Sequence, residues 1–193
     1  MRMSPFESAR RILFVVGGAL MGVLVLQSLA TQSSSATPPV DIDYGDHHGP
    51  LGSASVFDDE SPAVANLDPD LLGALRQAAT VASGDGVEFV VNSGWRSPEE
   101  QDQLLRDAVS EYGSESEAAR WVATPNTSAH VSGDAVDIGP PEAAVWLSSY
   151  GAQYGLCQIY SNEPWHYELR SDAGLYGCPP LYADPTQDPR MQE

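Results

Sequence analysis

The chain has four histidines, and two of them sit in company that suits metal chemistry. One lies in Ser128-Ala129-His130-Val131-Ser132-Gly133-Asp134-Ala135-Val136-Asp137, the other in Glu163-Pro164-Trp165-His166-Tyr167-Glu168. A catalytic zinc takes three protein ligands of nitrogen or oxygen and keeps one position open for water. His130, Asp137 and His166 supply that set as two imidazoles and a carboxylate. Asp134 is a second carboxylate near His130. Asp137 is preferred because it is embedded in Ala135-Val136-Asp137-Ile138, a strand pattern in which a lone buried carboxylate is costly unless paired or metal-bound. Glu163 stands three residues before His166, where a turn at Pro164 can bring it to the metal site as general base. Arg96, in Ser93-Gly94-Trp95-Arg96-Ser97, presents a planar fork suited to a substrate carbonyl or carboxylate. Each has a plainer role open to it: His130 and Asp137 as surface or core residues, Glu163 as a turn residue, Arg96 as a solvated charge at a helix end. Composition alone does not choose between them. His47 and His48, adjacent in an acidic stretch with no further ligand held nearby, read as solvated.

The elements that must position these residues alternate between helix and strand without a regular β-α-β period. A helix capped by Asp68 or Asp70 runs through Leu71, Leu72, Leu75 and Ala79 at helical spacing. Gly84-Asp85-Gly86 breaks it, and Val87 to Val91 reads as a short strand. Ser97-Pro98-Glu99-Glu100 is a helix start with Ser97 as cap, Pro98 at the first helical position and Glu100 completing a capping box. A short helix follows near Glu115 to Trp121, then a strand over Ala135 to Ile138 and a helix over Glu142 to Tyr150. Leu156 to Tyr160 and Trp165 to Leu169 read as strands separated by the turn Ser161-Asn162-Glu163-Pro164. The fold class is therefore α+β, a small, mostly antiparallel sheet with flanking helices.

Around this domain, expected over residues 66–182, the ends read differently. Arg2, Arg10 and Arg11 precede an apolar run over residues 12–30, so residues 1–31 read as either a cleaved signal peptide or a single membrane anchor, with the remainder exported. Residues 32–65 are rich in Ser, Pro, Asp and Gly without a period and read as a disordered acidic linker. Residues 183–193 read as a flexible tail. The chain of 193 residues carries 27 acidic residues against nine arginines and no lysine, a formal charge of −18. Such a surface excludes nucleic-acid binding driven by counterion release. Cys157 and Cys178 are the only cysteines and bracket His166. In an oxidising compartment they are expected to form a disulfide, which on the chain-entropy picture stabilises by roughly 3 kcal/mol.

The blocks SGWRSPEEQ, SAHVSGDAVDIG and EPWHYE together resemble the VanY-type D-alanyl-D-alanine carboxypeptidases. These belong to the zinc metallopeptidases that include D-Ala-D-Ala dipeptidases and are similar in fold to the Hedgehog signalling domain. The resemblance implies one zinc per chain on His130, Asp137 and His166, Glu163 as catalytic base and Arg96 stabilising substrate or transition state. It also implies that Gln101 and Ser128 shape the substrate pocket, and that the partner is a peptidoglycan stem peptide ending in D-Ala-D-Ala. The exported chain is expected to act as a monomer outside the cytoplasm. Three rivals stay open: a dipeptidase, an endopeptidase on cross-links, and a non-catalytic zinc-containing wall-binding module.

Overall fold

The computed structural model describes residues 53–192. The expected leader over residues 1–31, the first part of the expected linker, and His47 and His48 lie outside them. Five strands form one antiparallel sheet: β1 (Ala54–Ser55), β2 (Val90–Ser93), β3 (Ala135–Gly139), β4 (Leu156–Gln158) and β5 (His166–Leu169). Their order across the sheet is β1-β2-β3-β5-β4. Seven α-helices accompany them among the described residues: α1 (Pro62–Ala65), α2 (Pro69–Gly84), α3 (Pro98–Tyr112), α4 (Glu115–Ala118), α5 (Ala129–Ser132), α6 (Pro141–Tyr150) and α7 (Ala173–Tyr176). None of the described helices is long and apolar enough to cross a membrane.

Helix α2 starts where its sequence says it must. The Asp68 side chain accepts hydrogen bonds from the amides of Asp70 at 2.9 Å and Leu71 at 3.1 Å, and Pro69 occupies the first turn, where its missing N–H costs nothing. Its buried positions, Leu71, Leu75, Ala78, Ala79 and Ala82, recur at helical spacing and form one stripe. That stripe and the buried residues of α6, Ala143, Ala144, Trp146 and Leu147, share a core with Val136, Ile138 and Tyr167 of the sheet. Side chains alternate along a strand. With Val136, Ile138 and Tyr167 turned into the helical layer, Asp137, His166 and Glu168 belong to the opposite face. All five residues of β3 are nevertheless buried, because that second face is covered too.

Helix α3 bears the capping box in full: Ser97 Oγ accepts from the Glu100 amide, and the Glu100 carboxylate accepts from the Ser97 amide at 2.9 Å. Its apolar side meets Ala118 and Val122 in a separate small core beside the sheet.

Four boundaries differ from the sequence reading, each for a reason of partnership. The strand expected over Val87–Val91 lies at Val90–Ser93, since β3 ends at Gly139 opposite Val90 and offers Val87 and Glu88 nothing to pair with. The strand expected to reach Tyr160 leaves the sheet after Gln158; Ile159 and Ser161 bond instead to the backbone of Tyr182. The domain begins well before residue 66. β1 pairs with β2, Val56 and Val64 are core residues, and the carbonyl of Ala63 accepts from the Trp95 amide at 2.9 Å. Residues 183–192 are not a loose tail, because Asp184 and Asp188 cap two single 3-10 turns at Pro185–Gln187 and Pro189–Met191 and are themselves buried.

Candidate metal centre and its pocket

Register sets the first two ligands face to face. Asp137 on β3 is the Cα partner of His166 on β5, and the His166 Nδ1 lies 3.2 Å from Asp137 Oδ1. His130 reaches the same point from α5, a single helical turn that runs into β3; its Nε2 is 3.5 Å from Asp137 Oδ1. Gly133 closes α5 in the left-handed conformation, at φ 84°, and a Cβ there would meet the Asn66 carbonyl at 2.7 Å. The ligand atoms of His130, Asp137 and His166 lie within 4.8 Å of one another, and all three residues are buried.

Each imidazole is oriented from behind. His130 Nδ1 donates to the carbonyl of Gly94 at 2.9 Å, which leaves the Nε2 lone pair facing Asp137. Gly94 can only be glycine, because a Cβ would sit 2.0 Å from the Ala63 carbonyl. His166 Nε2 faces Glu168 at 3.3 Å, leaving Nδ1 toward Asp137. An outer hydrogen bond on the non-ligating nitrogen is the usual arrangement of metal-binding histidines.

The electrostatics call for a cation at this point. Burial opposes charge on Asp137, yet the imidazoles of His130 and His166 hold its carboxyl well below the ordinary range. Burial, with Arg96 alongside, lowers His130, the direction that favours the neutral form a ligand needs. Burial also opposes a charged His166, but its bonds to Asp137 and Glu168 outweigh this and raise it to about 10. A divalent cation held by the same three donors would supply positive charge there. The imidazole and carboxylate set is borderline in softness and suits zinc.

In front of the ligands is a pocket whose lining includes Arg96, Gln101, Ser128 and Glu163 as well as the three ligands. The turn that carries Glu163 is closed by a bond from the His166 amide to the Glu163 carbonyl at 3.1 Å, and Glu163 Oε2 lies 3.7 Å from His166 Nδ1. Burial pushes the Glu163 carboxyl up to about 8, with His166 and Arg96 pulling against it. Arg96 is buried, with Nη2 3.9 Å from Asp137 Oδ2. Gln101 donates to the Ala123 carbonyl at 2.8 Å, while Ser128 begins α5 without capping it. Among the described residues four buried side-chain polar atoms have no hydrogen-bond partner, and three of them are Arg96 Nε, Gln101 Oε1 and Glu163 Oε1. Buried polar groups are normally satisfied, so three orphans in one pocket mark the place where something polar binds.

The structure thus gathers every residue singled out for chemistry into one pocket and leaves Asp134 outside it, exposed and bonded to Ser132. Cys157 and Cys178 are joined in a disulfide. Glu168, Tyr160 and the end of the chain were missed by sequence reasoning. The available signal was alternation, since a residue two places after a strand ligand shares its face.

A family model of the VanY D-alanyl-D-alanine carboxypeptidases matches residues 64–172. A D-alanyl-D-alanine carboxypeptidase of Enterococcus faecalis (strain ATCC 700802 / V583) is 34% identical over 118 residues, which cover 48% of this chain and 44% of that relative. The matched part therefore spans less than half of the relative's length. Among solved structures, a mutant of the vancomycin resistance D,D-pentapeptidase VanY from a VanB-type cassette, in complex with Zn(II), is 30% identical at a TM-score of 0.50, covering 53% of this chain and 72% of that one. VanYB in complex with D-alanine-D-alanine is 32% identical at 0.51, covering 53% and 71%. With its three-ligand cluster and its five-stranded antiparallel sheet, the chain belongs to the VanY D-alanyl-D-alanine carboxypeptidase family of metallopeptidases.

Proposed function

We propose that this chain is a zinc-dependent carboxypeptidase that removes the terminal D-alanine from peptidoglycan stem peptides ending in D-Ala-D-Ala. The observation that carries the reading is a buried Glu163 carboxylate with an unpartnered oxygen, held against a three-ligand metal site. A purely structural zinc closes its coordination with protein ligands and has no use for a base alongside. That weighs against the non-catalytic wall-binding module.

One zinc per chain, held by His130, Asp137 and His166, supplies acidification of a water and polarisation of the scissile carbonyl. The chain's own residues do the rest. Glu163 takes the proton of the attacking water, whose oxygen adds to the carbonyl carbon of the D-Ala-D-Ala bond. Arg96 is the cationic side chain in the pocket lining and faces the negative charge that develops on the carbonyl oxygen. Glu163 then passes its proton to the amine of the departing D-alanine as the C–N bond breaks. Gln101 Oε1 and Ser128 remain to receive polar groups of the peptide.

Residues 12–30 carry the chain out of the cytoplasm, as an anchor or as a cleaved signal, and a disulfide-bearing domain acting as a monomer then meets the wall outside. The test is to offer the purified protein a pentapeptide ending in D-Ala-D-Ala and to follow free D-alanine with and without a chelator. Chelator-sensitive release of single D-alanine is the expected result. Release of the intact dipeptide, or hydrolysis of free D-Ala-D-Ala alone, moves the assignment to another cut. No release by a zinc-loaded preparation removes the enzyme reading.

A further inference from the structure

The last stretch of the described chain lies beyond the residues that the family model matches, yet it is bonded to the back of the metal centre. Glu168 shares a strand face with His166 and is 1% exposed. Its Oε1 lies 3.3 Å from His166 Nε2. Two arginines hold this carboxylate, and they hold it differently. Arg170 Nη2 bonds Oε2 alone, at 2.8 Å. Arg190 spans both oxygens, with Nη1 on Oε2 at 2.6 Å and Nη2 on Oε1 at 3.2 Å. A one-point bond lets a carboxylate swivel about its Cγ–Cδ bond, whereas a two-point fork fixes its plane.

Arg190 is fixed in turn. Its Nε sits between the two oxygens of Asp188 at 3.1 and 3.0 Å, and fully buried Asp188 also accepts from the Tyr160 hydroxyl at 3.0 Å. The Tyr160 ring lies 5.1 Å from the His166 ring. The segment that carries both residues is fastened upstream by the disulfide at Cys178, by the backbone bonds of Tyr182 and by the pair Arg120–Asp184 at 3.1 Å.

We propose that this C-terminal segment is a positioning element of the metal site: Arg190 fixes the Glu168 carboxylate against Nε2 of His166, so that Nδ1 is presented to the metal. This rests on the metal site assigned above. Removal of a partner behind a ligand typically weakens metal binding about 10- to 100-fold.

The experiment compares the full protein with Arg190→Ala, Arg190→Lys and Arg120→Ala. Zinc affinity is measured by competition with a chromogenic chelator, and ligand geometry by the visible spectrum of the cobalt(II)-substituted protein. Arg190→Ala, which removes a partner of Glu168 and not Glu168 itself, is expected to lose up to about 10-fold in zinc affinity and to alter the cobalt spectrum. Arg190→Lys, charged but unable to fork, recovers only part of the loss. Arg120→Ala, which removes one fastening but leaves the disulfide, the Tyr182 backbone bonds and the Arg190–Glu168 fork in place, binds both metals like the parent. Arg190→Gln, polar but uncharged and too short to fork Glu168, carries the alanine variant's expectation if that variant does not fold. The proposal is overturned if the arginine variants bind zinc as the parent does, if lysine restores affinity in full, or if Arg120→Ala loses as much as Arg190→Ala. A parent that binds no zinc overturns the metal site and this proposal together; a parent that binds while Arg190→Ala matches it overturns this proposal alone.

Discussion

The two sides of His166 are finished to different standards. In front, toward the pocket, Arg96, Gln101 and Glu163 each keep a buried polar atom without a partner. Behind it, Glu168, Arg190, Asp188 and Tyr160 form a network in which every one of those side chains is bonded to another. A buried group left without any partner costs on the order of 1–3 kcal/mol, so these three atoms call for a partner from outside the protein. A site that must receive a charged, changing substrate cannot saturate its own donors and acceptors beforehand. The rear has no substrate to receive, and its paired charges fix the geometry that the front uses.

The sharpest way to break this contrast is to change the front without disturbing the rear. Glu163→Gln is close in size and lies outside the proposed ligand set. Turnover of the pentapeptide is expected to fall by about 10²- to 10⁴-fold, the usual contribution of a general base. Zinc affinity, read by chelator competition, is expected to stay at the parent's value. A variant that loses zinc and turnover together places Glu163 among the ligands; one that keeps its turnover ends its role as base.

How much of this contrast was legible in the sequence follows from the kind of signal each side leaves. The front is made of residue types with few uses at fixed spacings: His130 seven residues before Asp137, Glu163 three before His166, and an arginine just ahead of a capping box. Chemistry restricts those choices, and the chain keeps them close together along its length. The rear depends on contacts between distant parts. Arg190 meets Glu168 across 22 residues, and Asp188 meets Tyr160 across 28. Nothing local announces such pairs. The ends were misjudged for a related reason. β1 is two residues long, too short to show any period, and owes its existence to the edge of β2. The closing stretch, polar and rich in proline, looked frayed, although Asp184-Pro185 and Asp188-Pro189 are two cap-and-proline starts, a pattern that Asp68-Pro69 had already shown.

The rear network is also an acid-sensitive element. Burial opposes the Asp188 charge, but hydrogen bonds from Arg190 and Tyr160 hold the carboxyl below its ordinary value of 3.8. A depressed carboxyl contributes stability in full above the unfolded-state value and loses it as pH falls through the folded one. Asp188→Asn is therefore expected to lower the melting temperature at neutral pH and to flatten the acid limb of a melting-temperature curve taken below about pH 4. Hydrogen bonds to a charged group contribute about 1.5–3 kcal/mol, and each kcal/mol shifts melting by about 2–4 °C in a chain this size, so the neutral-pH loss is on the order of 5 °C. Parallel acid limbs in parent and variant remove Asp188 from the account and leave, as the acid-sensitive groups, Glu168, held low against its burial by His166 and Arg190, and Asp184, held low against its burial by Thr186 and Arg120.

The smallest expected effect belongs to the front and tests how far the protein's charge reaches into it. After residue 31 the chain has six arginines against 26 acids, a formal −20, and the proposed substrate itself ends in a carboxylate. Two fields compete over that carboxylate as it approaches: the acidic surface repels it from afar, and Arg96 with the metal attracts it at close range. Salt discriminates between them, because at about 0.1 M charges more than roughly 10 Å apart in solvent are screened, while a buried pair is screened far less. If the distant acids dominate the approach, kcat/KM for the pentapeptide rises with moderate salt by less than about tenfold and kcat stays level, since only encounter is affected. If Arg96 already governs the encounter, salt screens the attraction instead and kcat/KM falls. A rising curve makes the pocket a local positive site acting against the rest of the surface, whereas a flat or falling one confines the acidic surface to keeping the protein soluble.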